Sequence, residues 1–174
     1  MIRRVIYVFA CVLSAAALLI ANSDDSISPQ ARRLHFSSIV VDTHDDTTQR
    51  FFSNDFDLGK RNSTGHIDIP RMREGGLNAI FFSIWIDGRT MGPPAVQQAL
   101  DQIDAIQQNV RKYSKDLAFA RTAADIRRAH KQGKIAVLMG IEGGHMLGND
   151  IRMVRIYSDF GVRYMILFYF YNDK

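Results

Sequence analysis

A short apolar segment leads into residue types that bind divalent metals. The run IVV at 39–41 is followed by DTHDD at 42–46. Residues two apart in a β-strand project to the same side, so the side chains of His44 and Asp46 should lie together. An imidazole nitrogen and a carboxylate oxygen held this way can bind one divalent cation. The alternative is a strand that ends in an aspartate-rich turn or helix cap.

A second segment of the same kind lies about a hundred residues later. The apolar run IAVLMGI at 135–141 ends at Glu142, which is followed by two glycines and His145. Functional sites of parallel sheets lie at the carboxyl ends of the strands. Glu142 taken alone is better explained as a solvent-facing acid at the start of a loop. Together, the two segments predict a metal site built from His44, Asp46 and Glu142.

The rest of the chain alternates between apolar runs and helical periodicity, which predicts a parallel α/β sheet with right-handed crossovers. The predicted strands are 38–44, 77–86, 135–141 and 162–171. The predicted helices are 30–35, 68–75, 95–113, 122–132 and 149–160. Between the first strand and the second helix, residues 47–66 are predicted to form a long loop on the metal side of the sheet.

Three of the predicted helices carry specific signals. Asp68 is a plausible N-cap, and Thr122 with an acidic residue three positions later resembles a capping box. The last helix is predicted to be amphipathic, with Ile151, Val154 and Ile156 as its apolar residues.

The N-terminal residues differ from the rest in composition. Arg3 and Arg4 precede an almost wholly apolar run that ends at Ala21, and small residues follow around Ser23. This order is typical of a secretory signal peptide, here 1–23, which predicts export; the alternative is an uncleaved membrane anchor. The only cysteine, Cys11, lies inside this segment, so a processed chain would have neither thiol nor disulfide.

Length and charge narrow the classes of function. The 174 residues suggest one domain, which we place at 38–174 after a linker and short helix at 24–37. The 22 basic and 18 acidic residues give a net charge of +4, which is too small and too evenly spread to indicate a nucleic-acid partner. No glycine-rich phosphate loop follows any predicted strand, which disfavours nucleotide binding.

Four segments resemble the zinc membrane (renal) dipeptidases. They are VVDTHDD at 40–46, HIDIPRMREGGLNAIFFSIW at 66–85, GIEGGHML at 140–147 and GVRYM at 161–165. The resemblance implies a (β/α)8 barrel of the TIM type with two zinc ions at its mouth, and dipeptides as substrates. It also implies that His44 and Asp46 ligate the first zinc. Glu142 would be the catalytic carboxylate that bridges both ions, which together activate a water molecule.

Roles are also expected for neighbouring residues. Asp42 lies two residues before His44, on the same side of the strand, and is expected to support the metal ligands. His145, beside the bridging carboxylate in the family segment, is expected either to support the ligands or simply to pack within the loop. Tyr169 stands where the family has a histidine that contacts the substrate. His66 is assigned to structure.

The match has a limit that affects the expected activity. A barrel of this type needs about 250 residues, so we expect only its N-terminal half, with about four strands. The family's second zinc takes two histidines from later strands, and this sequence has no histidine after His145. We therefore expect at most one well-ligated zinc and impaired dipeptidase activity.

Two other functions are considered. A half-barrel could be a non-catalytic fragment that forms homo-oligomers, or aggregates, through its open sheet edges. The chain could also be another metal-dependent amidohydrolase with a barrel fold. The Glu-Gly-Gly-His segment disfavours the latter, because that superfamily more often uses a lysine as the bridging ligand.

Overall fold

The computed structural model describes residues 27–168. The chain divides into two units, residues 1–34 and 35–174. The strands are β1 (Val40–Asp45), β2 (Leu77–Trp85), β3 (Leu117–Phe119), β4 (Ile135–Glu142) and β5 (Val162–Ile166). The α-helices are α1 (Pro29–Ser37), α2 (Ile69–Glu74), α3 (Pro93–Lys112), α4 (Ala123–Lys131) and α5 (Arg152–Phe160). Two 3-10 helices, Asp46–Phe52 and Gly144–Leu147, directly follow β1 and β4.

All five strands belong to one open sheet in which every pairing is parallel. The order is β1, β2, β4, and both β3 and β5 pair with the remaining side of β4. β3 pairs with residues 135–137 of β4, whereas β5 pairs with residues 139–142. The predicted α/β fold with parallel strands and crossover helices is confirmed, and an open sheet of this kind is consistent with half of a barrel.

Three predictions of secondary structure from the sequence need correction. Strand β3 was not predicted, because three residues are too few to establish a periodicity. The loop predicted at 47–66 begins instead with the 3-10 helix Asp46–Phe52. The last strand ends at Ile166 rather than at Tyr171, and residues 169–171 lie outside the described part.

The central strands β2 and β4 are buried on both faces, which explains their continuous apolar sequences. Alternate residues of each strand enter two different clusters. Ile80 and Val137 belong to the larger cluster, together with the buried face of α3. Ala79 and Ala136 belong to a smaller cluster that includes Ala129 of α4.

Local capping positions the helices as expected. Asp68 is fully buried, and its carboxylate accepts a hydrogen bond from the backbone N–H of Arg71 at the start of α2. Thr122 and Asp125 form a complete capping box at the start of α4. Both predicted N-caps are therefore confirmed.

The predicted amphipathic helix at 149–160 is confirmed as α5, but of the three apolar residues named for it only Ile156 packs against the core. Ile151 and Val154 are 76% and 46% exposed, and the helix buries Met153 and Tyr157 instead. These two residues are four apart and so share one face of the helix. The hydroxyl of Tyr157 also donates a hydrogen bond to the carbonyl oxygen of Met146, which helps to fix this orientation.

Within residues 27–168, no helix is both long enough and apolar enough to cross a membrane. The predicted signal peptide at 1–23 and Cys11 lie outside the described residues.

The carboxyl end of β2 is tied to α3 by one buried side chain. Gln102 is 5% exposed, and its Oε1 accepts from the backbone N–H of Trp85 at 3.0 Å. Its Nε2 donates to the carbonyl oxygen of Trp85 at 2.6 Å. Because Trp85 pairs in register with Glu142, this contact holds the sheet at the level where the candidate ligands lie.

We predict that Gln102→Leu lowers the free energy of unfolding by about 2 kcal/mol, because buried polar groups lose hydrogen-bond partners. Gln97→Leu is the matched control, since Gln97 lies on the exposed face of the same helix, where its side chain donates a hydrogen bond to Asp101. It should cost less than about 0.5 kcal/mol. Urea unfolding followed by circular dichroism measures both, and equal effects would contradict the role given to Gln102.

Candidate metal centre

Three side chains with metal-binding atoms converge at the carboxyl ends of β1 and β4. One ligand atom from each of His44, Asp46 and Glu142 lies within 4.8 Å of the others. The Nε2 atom of His44 is 2.8 Å from Oε2 of Glu142 and 3.4 Å from Oδ1 of Asp46. The structure thus brings together the three residues that were predicted as ligands.

The sheet topology explains why residues so far apart in sequence meet. Strands β1 and β4 both flank β2 and run parallel to it, so their carboxyl ends face the same edge. The side chains of His44 and Glu142 are 33% and 23% exposed, so both are shielded on one side and open on the other. The side chain of Asp46, beyond the end of β1, is 62% exposed.

Asp45 and Asp46, which are adjacent at the end of β1, make different contacts. The carboxylate of Asp45 accepts a hydrogen bond from the backbone N–H of Thr47 at 2.9 Å and caps the following 3-10 helix. Burial raises the pKa of Asp45, and the hydrogen bonds from Thr47 oppose this shift. Because Asp45 serves as the cap, the carboxylate of Asp46 is left to face His44.

Tyr164 of β5 contacts the ring nitrogen of His44 that points away from the two carboxylates. Its hydroxyl oxygen is 2.9 Å from Nδ1 of His44. The same hydroxyl donates to the carbonyl oxygen of Thr43 at 3.1 Å. Burial raises the pKa of Tyr164 to about 12, and the negative charge of Glu142 adds to this shift. The hydroxyl therefore keeps its proton at neutral pH.

A glycine provides the space for this tyrosine. Gly140 of β4 pairs in register with Tyr164. A Cβ atom on Gly140 would lie 2.0 Å from Cζ of the tyrosine ring, well inside van der Waals contact. On the other side, the ring centroid of Phe81 is 5.4 Å from that of Tyr164. The ring therefore lies over Gly140 of β4 and beside Phe81 of β2, and its hydroxyl contacts His44.

The other predicted residues take different positions. The carboxylate of Asp42 accepts a hydrogen bond from the backbone N–H of His44 at 3.0 Å, so it supports the backbone of β1. His145 is 5% exposed and lies over Gly143, where a Cβ atom would be 2.4 Å from its ring. Gly143 has φ of +123°, which favours glycine at this turn. Tyr169 lies outside the described residues.

The donor set fits a divalent ion such as zinc. Zinc binds imidazole nitrogen and carboxylate oxygen at about 2.0–2.2 Å, which places two ligand atoms of a tetrahedral ion roughly 3.3 Å apart. The separations of 2.8 and 3.4 Å from Nε2 of His44 lie on either side of this value. Small side-chain rotations would therefore accommodate an ion between the three ligands.

Tyr164 is the residue of the site that sequence reasoning missed. Its segment GVRYM was recognised, but no role was assigned to the tyrosine. The available signal was Gly140, because a glycine inside a buried strand often marks the close approach of another group.

Comparison with known proteins finds a matching family. The family profile described as membrane dipeptidase (peptidase family M19) matches residues 28–174. Over 117 residues, the chain is 36% identical to dipeptidase tcpJ of Claviceps purpurea (strain 20.1); the match covers 63% of this chain and 28% of that protein. The chain thus spans less than a third of the length of this curated relative.

Solved structures share the fold. A crystal structure of dipeptidase AC, a metallopeptidase of family M19, is 29% identical with a TM-score of 0.63, and the match covers 73% of this chain and 41% of that one. The probable dipeptidase PvdM from Pseudomonas aeruginosa is 22% identical with a TM-score of 0.71. That match covers 83% of this chain and 38% of the other, and at this identity it supports the fold alone.

Proposed function

The chain belongs to the membrane dipeptidase family, peptidase family M19, and from this membership we propose that it binds zinc and uses it in the hydrolysis of dipeptides. The observation that carries the proposal is the convergence of His44, Asp46 and Glu142 at one edge of the parallel sheet. A family profile alone would not place three ligand atoms within bonding reach of one ion.

The chemistry follows from the ligand types. Zinc held by such a set makes a bound water more acidic and polarises the scissile carbonyl of a dipeptide. His44 would supply the nitrogen ligand, and the negative charges of Asp46 and Glu142 would balance the charge of the cation. Glu142 lies at the end of the central strand β4, where a bridging carboxylate would face a second ion. No side-chain nucleophile is required.

We predict that His44→Gln and Asp46→Asn each weaken zinc binding at least about a hundredfold, the upper end of what loss of an outer-shell partner costs. Asp45→Asn is the matched control, because an asparagine oxygen can keep the cap on Thr47. This control should change the Kd for zinc less than about threefold. Competition with a chromophoric chelator measures all three, and equal effects of D46N and D45N would contradict the proposed ligand set.

We further propose that the activity of this 174-residue chain is impaired. The described residues supply three protein ligands for one ion, but for a second ion the family pattern leaves only Glu142. With zinc added, dipeptide hydrolysis should be at least about a hundredfold slower than that of a full-length M19 dipeptidase, since even outer-shell losses cost 10–100-fold. Comparable turnover by the purified chain would contradict this proposal.

The sheet edges support a second candidate function. Val41 of β1 and Ile166 of β5 are 39% and 40% exposed on the outer strands, and Phe168 just beyond β5 is 87% exposed. Unpaired strand edges of this kind can pair with another chain. A discrete dimer without bound zinc, found by size-exclusion chromatography and metal analysis, would favour a non-catalytic assembly over a dipeptidase.

We also propose that the chain is exported. This is supported by the basic pair Arg3-Arg4 and the apolar run that follows it. A dipeptidase outside the cytoplasm would act on dipeptides there, and an uncleaved N-terminal segment would instead hold the enzyme at the membrane.

A further inference from the structure

We propose that Tyr164 is a positioning residue that fixes the proton of His44 on Nδ1, so that the lone pair of Nε2 faces Asp46 and Glu142. The inference rests on the proposed metal site and adds to it a residue outside the ligand set. It starts from the two contacts of one hydroxyl group, to the Nδ1 atom of His44 and to the carbonyl oxygen of Thr43.

The number of available hydrogens determines which ring nitrogen of His44 is protonated. A tyrosine hydroxyl has one hydrogen to donate, and a backbone carbonyl oxygen can only accept. When Tyr164 donates to Thr43, its oxygen has to accept from Nδ1–H of His44. A neutral imidazole carries only one N–H, so Nε2 is then unprotonated. This is the tautomer that a metal requires at Nε2.

This assignment places two acceptors opposite each other at Nε2 of His44. Oε2 of Glu142 lies 2.8 Å from Nε2. A carboxylate and an imidazole lone pair that face each other at this distance are both acceptors, so the arrangement is favourable only with a cation between them. With the proton held on Nδ1, the site therefore selects for a cation at the position where the ligands converge.

The opposite arrangement would place the imidazole proton on the other ring nitrogen, a difference that can be measured. If Tyr164 donated to Nδ1, the hydroxyl would lose its bond to Thr43 and the imidazole proton would lie on Nε2. That N–H would donate to Glu142, and the site would be satisfied without a metal. The two arrangements differ in which ring nitrogen of His44 carries hydrogen.

The sheet keeps the tyrosine hydroxyl in place from two sides. Gly140 leaves the space that the ring fills, and Phe81 lies against the ring. Gly140 does not have a positive φ, so its backbone conformation would accept alanine. An alanine side chain at this position would instead clash with the ring of Tyr164. Gly140 should therefore affect zinc binding only through the position of the Tyr164 ring.

Zinc titration tests the functional consequence. Tyr164→Phe should weaken the Kd for zinc about tenfold, as loss of an outer-shell partner does, and Gly140→Ala should weaken it at least as much by displacing the ring. Tyr113→Phe is the matched control, because it removes a hydroxyl that donates to Asp57 instead. The control should change the Kd less than twofold, and circular dichroism checks that each variant is folded.

Nitrogen-15 NMR of the histidine rings tests the proton position directly. The spectra are recorded on the metal-free chain at about pH 9, where an ordinary imidazole with a pKa of about 6.5 is neutral; His44→Gln identifies the signals of His44. We expect hydrogen on Nδ1 in the unaltered chain, and loss of this preference in Tyr164→Phe.

Two results would overturn the inference: hydrogen on Nε2 of His44 in the unaltered chain, or a Tyr164→Phe variant that binds zinc within twofold of it. A chain that binds no zinc would refute the proposed function instead, and the tautomer measurement would still decide the role of Tyr164.

Discussion

The parallel alignment of β1, β2 and β4 is the constraint on which the site depends. His44 and Glu142 come from different strands, and only the parallel direction of both brings their side chains to one edge. The alignment is maintained by burial of β2 and β4 on both faces and by Gln102, which holds the end of β2. A change that slips one strand would move a ligand to the opposite face.

The positions of individual side chains at the site are also constrained. Asp45 caps the 3-10 helix that follows β1, and this use of one aspartate leaves the next one beside His44. Gly140 and Gly143 have no side chains, and this leaves space for the rings of Tyr164 and His145. The site therefore depends on glycines and a cap as well as on the residues that offer ligand atoms.

Much of this could be predicted from the sequence because long apolar runs and capping residues are local signals. The strands β2 and β4 and the caps at Asp68 and Thr122 were predicted in this way, whereas the dipeptidase family was recognised from four specific sequence segments. Strand β3 is too short for a periodic signal. Two of the three apolar residues predicted for α5, Ile151 and Val154, are exposed, because an apolar residue type does not by itself determine which side of a helix is packed. Tyr164 acts through contacts across 120 residues, which no local pattern encodes.

The most direct test of the account is a crystal structure of the zinc-loaded chain with anomalous scattering measured at the zinc edge. We expect an ion within about 2.3 Å of Nε2 of His44 and of oxygens from Asp46 and Glu142, the range for zinc bound to such donors. The account would be contradicted by an ion bound elsewhere, with no zinc density between the three proposed ligands.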